Sequence, residues 1–185
     1  MATITQARSR VLHKDLGSPA LGGVANVLAA TASTGSDLEI TAGLTDPPTA
    51  RNVTASSAGT SNDIKAVQVV VIGTNQNGAV ITETLPVFTV NTATTVVGSK
   101  AFATVTQVDI PTHDGNGATT SVGLGAKLGL GVTLGRDTII AAFQDGVFET
   151  TRPTVAFSST AVESNTVDLN TAMDGDAVLI DYYIS

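Results

Sequence analysis

Only two imidazoles, His13 and His113, stand in this chain of 185 residues, and nucleophilic chemistry by Ser, Thr or Lys would have to borrow one of them. Such chemistry needs a base that a third group orients. His13 lies in a polar N-terminal lead, where nothing in the sequence holds it in a fixed geometry. His113 lies in a turn between Pro111 and Gly115 and reads as a solvated loop residue. Cys is absent, so thiolate catalysis, thiolate metal sites and disulfides are excluded. A Gly-x-Ser-x-Gly nucleophile elbow is also absent.

Carboxylates offer the next chemistry. Asp109, His113 and Asp114 are close in sequence, and Asp174 and Asp176 flank a glycine. Neither spacing continues to the distant bidentate glutamate of a calcium loop. Asp and Gly are also what turns are built from. Glu39, Glu83, Glu149 and Glu163 do not pair by spacing, whereas a glycosidase sets two carboxyls across a cleft. Two Tyr and no Trp leave little for stacking on sugars. Gly123 and Gly125 begin a phosphate-loop pattern, but Leu128 takes the place of its third glycine. A bulged strand, with a neighbouring backbone close by, is the reading that remains. The sequence therefore assigns no catalytic residue, no cofactor and no metal ligand.

Arg8, Arg10 and Lys14 form the one local concentration of positive charge and are the candidate partner-binding residues. The net charge is −7 and the nine Lys and Arg are otherwise scattered, which argues against nucleic acid as a partner. No apolar run reaches the roughly 20 residues of a membrane span. Charged residues are only 14% of the chain, well below the roughly 25% usual in soluble domains. Such a surface repels its neighbours weakly.

The elements that must position these residues read as strands. β-Branched runs recur at residues 66–72, 79–85, 94–97, 100–110 and 119–122, with turn signals at Asn77-Gly78 and residues 113–117. Residues 66–134 therefore read as an antiparallel meander. Residues 20–32 suit a short helix or a strand about equally. Residues 177–184 are strongly apolar and should pair inside a sheet. With aromatics at 4%, the core must be built from Val, Ile, Leu and Ala. The expectation is an all-β protein: an N-terminal arm over residues 1–18, then one antiparallel β-sandwich or barrel-like domain over residues 19–185.

Four blocks carry a resemblance: ARNVT (residues 50–54), NQNGAVITETL (75–85), VGSKAFATVTQV (97–108) and GAKLGL (125–130). Their order resembles small virion structural proteins of tailed bacteriophages, over about residues 51–134. These are β-rich proteins encoded among the head genes, and some decorate or cement the capsid. The resemblance implies a non-enzymatic role on the outer capsid surface of the virion, after synthesis in the host cytoplasm. It implies the major capsid protein as partner, with self-association as a dimer or trimer. A tail or head-fibre subunit fits the same blocks, and a secreted adhesin or binding module is the alternative from another class.

Overall fold

The computed structural model describes residues 10–184. These residues form fourteen strands and two single-turn 3-10 segments. The chain opens with β1 (Val11–Asp15), β2 (Leu28–Ala32) and β3 (Leu38–Ile40), and continues into the nine-residue β4 (Arg51–Gly59). Then come β5 (Val70–Thr74), β6 (Val80–Thr84), β7 (Thr95–Phe102), β8 (Thr104–Ile110) and the twelve-residue β9 (Ala118–Gly129). The C-terminal part holds β10 (Ile139–Gln144), β11 (Val147–Phe148), β12 (Thr154–Ala156), β13 (Thr166–Asp168) and β14 (Val178–Tyr183). Every pairing is antiparallel, and the protein is all-β and sandwich- or barrel-like, with one sheet curled into a half-barrel.

The short-range turn signals are realised. Gly78 has a positive φ of 76°, and the Asn75 side-chain oxygen accepts the N–H groups of Asn77 and Ala79, closing the β5–β6 hairpin. Asp145 and Gly146, at φ 49° and 73°, form the two-residue turn between β10 and β11.

Residues 66–134 are not a meander. β3, β8, β5 and β6 form one sheet, while β7 and β9 flank β4 in another, which also holds β2, β13 and β12. Between β7 and β8 only Ala103 intervenes, and there the chain changes sheets; likewise β8 and β9 lie in different sheets, so residues 113–117 are a crossover. The physical reason is burial. Phe102 and Val105 on either side of the switch both point into one core, which a single flat meander cannot enclose.

That first core lies between the two sheets. Val53 and Ala55 of β4 and Val122 of β9 meet Val71, Ile81 and Val108 of the opposing sheet, and Phe88 and Phe102 fill the middle. A second core lies under a third sheet, ordered β1-β14-β10-β11. Here Ile139, Ala142, Val178, Ile180 and Tyr182 pack onto Leu128, Leu130 and Val167, with Leu16, Leu134 and Met173 closing the sides. β9 therefore serves both cores, its first half the sandwich and its last residues the terminal lobe.

In place of an arm reaching to residue 18, Val11–Asp15 pair along their whole length with β14, and Leu16 is buried. Alternation explains the correction, because Leu12 and Leu16 both turn to the second core. Residues 20–32 contain a turn and then β2, with no helix. The C-terminal apolar run is the central strand β14, flanked by β1 and β10. Among the described residues no helix is long and apolar enough to cross a membrane.

Candidate functional site

Arg8 lies outside the described residues. Arg10 is exposed just ahead of β1, and Lys14 is half-buried within it, on the same face as Leu12. His13 is not adrift. β1 sets it directly opposite Asp181, whose carboxylate lies 2.5 Å from Nδ1. This is a base-and-orienter pair, but the imidazole side chain is 74% exposed and has no hydroxyl among its bonded partners.

His113 is buried, against the expectation of a solvated loop residue. The Lys65 N–H donates to its Nδ1 at 3.2 Å, which leaves the proton of the neutral ring on Nε2. Nε2 then donates to Thr120 Oγ1 at 2.9 Å. A ring fixed in this tautomer cannot take a proton from Thr120, so the pair is a structural clasp. Phe88 stacks on the ring at 6.2 Å, and burial pushes the imidazole below the ordinary His range. Asp114 opposes that shift and Lys65 adds to it.

The buried carboxylates are spoken for by the main chain. Glu83 accepts Ser99 N–H at 2.6 Å, the Ser99 hydroxyl at 2.8 Å and Lys100 N–H at 3.2 Å. Glu149 accepts the N–H groups of Asn170 and Thr171 at 3.2 and 2.7 Å. Asp37, Asp46 and Asp63 each cap a distant backbone N–H in the same manner. Asp109 is held by Gln107, Asp114 lies 3.8 Å from Lys65, and Glu163 accepts from Asn75. Thus Asp109, His113 and Asp114 form no shared ligand group, and Glu83, Glu149 and Glu163 are each engaged by different partners.

A depression of about 480 Å3 lies at the β10–β11 end and is lined by Gln144, Asp145, Phe148, Asp174 and Asp176. The negative charge of Asp174, then slight desolvation and Asp145, raises the Asp176 carboxyl above its ordinary range. Asp174 is already committed to Gln144 Nε2 at 2.6 Å and Asp176 N–H at 3.1 Å. Among the described residues no three His, Asp or Glu side chains come together to hold a metal ion.

One feature escaped the sequence altogether. Arg51 is 1% exposed, yet among the described residues no carboxylate pairs with it. Its Nε donates to Gly125 O at 2.7 Å, Nη1 to Ala20 O at 2.8 Å, and Nη2 again to Gly125 O. Met173 sulfur lies 3.9 Å from Nη2. Burial lowers the guanidinium pKa, but the carbonyl dipoles of Gly125 and Ala20 hold the charge. Nothing local marks it, since the carbonyls it binds lie 74 and 31 residues away along the chain. The glycines of β9 have a related cause: a Cβ on Gly123 would strike the backbone of Gly23 and Val24, and one on Gly125 would strike Asn52.

What the molecule does present is a sheet face on which apolar residues surround His13, Asp15 and Asp181. On the outer side of the terminal lobe lie Val11, Phe143, Leu179 and Tyr183, with the bulge residue Ile140 and Phe148 at the margins. Phe143 and Phe148 meet edge to face at 5.7 Å, and Arg136 sits 5.6 Å from the Tyr183 ring centre. Val11, Ile140 and Phe148 are each more than half exposed. Compared with protein-family models, with curated proteins and with solved structures, the chain matches nothing.

Proposed function

We propose that this protein is a non-enzymatic virion structural protein of a tailed bacteriophage, a capsid decoration (cement) protein that bridges neighbouring major capsid protein subunits on the outer shell. The observation that carries the reading is the group of exposed apolar residues on the outer face of the terminal lobe, with Arg10 and Lys14 at its edge strand. Apolar patches of this kind, rimmed by polar residues, mark association surfaces. The polar interior supports the same reading, since its carboxylates, imidazole and guanidinium are spent on tying loops to strands. A low surface charge permits close packing of many copies, and weak contacts sum when they recur across a shell.

The test is thermal release of DNA from particles with and without the protein, read beside its position in a particle reconstruction. The cement role requires release at lower temperature when the protein is missing, and density on the shell. An unchanged release temperature with density confined to the tail would replace it with a tail role.

A further inference from the structure

The terminal lobe ends in a strand edge that is built to pair. Leu16 N–H donates to Val178 O at 2.9 Å, in the register that also sets Lys14 opposite Ile180 and Leu12 opposite Tyr182. In an antiparallel ladder the bonded residues alternate, so residues 12, 14 and 16 bond to β14. The backbone N–H and C=O groups of Val11, His13 and Asp15 therefore point away from the sheet. No strand pairs with that side among the described residues.

The other sheet edges are blunted. β11 has two residues, while β3 and β12 have three each. β2 is broken by a register shift between Leu28 and Thr31. β6 and β7 are tied to one another, by Glu83 on the Ser99 and Lys100 amides and by Lys100 Nζ on Thr82 O at 2.8 Å. Short, bulged or covered edges resist pairing, and a regular five-residue edge without proline invites it.

We propose that a second copy of this chain docks here, β1 against β1 in antiparallel register, about a two-fold axis through His13. The occupant follows from the spacing. Outward-facing residues 11, 13 and 15 are symmetric about residue 13, so the two-fold sets Val11 against Asp15 of the other copy and His13 against its own mate. Among antiparallel registers of β1 on itself, this one alone engages all three residues of both strands. Asp15 of the other copy then stands diagonal to His13, on the face that also carries Asp181. The central imidazoles are thereby flanked by carboxylates from both copies. The result is one eight-stranded sheet whose outer face carries a polar His13, Asp15 and Asp181 cluster at the axis, with apolar residues to either side. The proposal rests on the edge alone and holds wherever the protein acts.

Because the chain has no Cys, a single introduced thiol can only form a disulfide with another copy. At the axis, His13→Cys sets two Cα atoms about 5.5 Å apart, within disulfide reach. Val11→Cys leaves its two thiol positions about four residues, or roughly 13 Å, apart. Under mild oxidation of the full-length protein, H13C should form covalent dimers about tenfold faster than V11C, given that difference in reach. A mixture of V11C and D15C should crosslink to the heterodimer, while each alone stays largely monomeric. Wild type should show a concentration-dependent shift from monomer to dimer mass in sedimentation equilibrium. Far-UV circular dichroism checks that each variant is folded. Equal crosslinking of H13C and V11C, no crosslinking of H13C or of the mixture by folded protein, or a monomer at every concentration would each overturn the proposal. Dimerisation that appears only after removal of residues 1–9 would also overturn it, by giving the edge to the chain's own N-terminal segment.

Discussion

The sandwich and the terminal lobe use the same strand chemistry but close their cores differently. The sandwich core has a sheet on both sides, two buried phenylalanines at its centre, and a seam where Glu83 ties β6 to β7. The lobe has one sheet laid over the last part of β9 and over β13, and its sides are closed by loop residues Leu134 and Met173. Its central strand β14 and its edge strand β1 come from opposite ends of the chain, with His13 and Asp181 separated by 168 residues. Two covered faces make a cooperative unit; one covered face leaves a unit that opens at lower free energy and has a surface to offer. The lobe, not the sandwich, is therefore where the proposed association is expected.

The largest expected effect breaks the comparison at its cores. Phe102→Ala should destabilise the sandwich by about 3–5 kcal/mol, and the cost should appear in every probe because the lobe rests on sheet strands of the sandwich. Ile180→Ala should cost about 2–5 kcal/mol, but chiefly in the lobe. Hydrogen exchange distinguishes the two. The first variant should raise exchange throughout, and the second should raise it in β1, β10 and β14 while β5 and β8 keep their protection. Uniform exchange in both variants would make the molecule a single cooperative unit and end the distinction.

Arg51 is next, since it stands where the two regions join. Its donors reach Ala20 and Gly125, and Met173 of the second core lies beside it. Arg51→Ala removes the donor to the part-buried Gly125 carbonyl and to the Ala20 carbonyl, at about 1–3 kcal/mol in all. Arg51→Lys should recover little, because an ammonium lacks the planar fork that bonds Gly125 through two nitrogens. Denaturant titration should show both variants losing stability, with sandwich and lobe probes shifting together. Full recovery in the lysine variant would mean that charge, and not geometry, holds the junction.

These residues also show what the sequence could and could not reveal. Asn77-Gly78 and Asp145-Gly146 are visible because each tight turn needs a glycine at positive φ, with a residue that tolerates the turn before it. The pairing of β14 inside a sheet is visible from its apolar run, but its partner β1 is not, since nothing local joins residues 11–15 to residues 178–183. The sheet switch at Ala103 is equally silent, because strand runs on either side look the same whichever layer they enter. Glu83 did leave a mark. In period two it falls on the face of Ile81 and Leu85, where a carboxylate needs a partner. His13 and His113 were misread for one reason: the groups that hold them, Asp181 in one case and Lys65 and Thr120 in the other, lie on other strands or loops.

Glu83 sharpens the comparison at the seam. Glu83→Ala removes the acceptor for two backbone N–H groups and should cost about 2 kcal/mol, within the range for stranding buried donors. The Ser99 and Lys100 amides should lose hydrogen-exchange protection first, with the lobe unaffected. If the lobe amides loosened equally, the seam would not be what sets the sandwich apart.

The smallest effect is a pH dependence confined to the sandwich side. His113 is buried, and protonating it costs the Lys65 N–H its acceptor at Nδ1, so the fold favours the neutral ring. Its pKa is accordingly lowered from the ordinary 6.5, by burial above all, with Asp114 opposing and Lys65 assisting. The unfolded chain thus binds the proton more readily than the folded one. Between these two pKa values, stability rises with pH. The contribution is complete above about pH 6.5 and declines as pH falls from there through the folded value. His113→Asn offers a carbonyl oxygen in place of Nδ1 and does not titrate. The difference in unfolding free energy between wild type and this variant should therefore be flat above pH 7 and should shrink in magnitude or reverse in the variant's favour as pH falls towards 5. Every other residue is the same in both proteins, so the pH dependence of that difference reports position 113 alone. A difference that stayed constant from pH 7 to pH 5 would show that the folded chain accepts the proton on His113 as easily as the unfolded chain does.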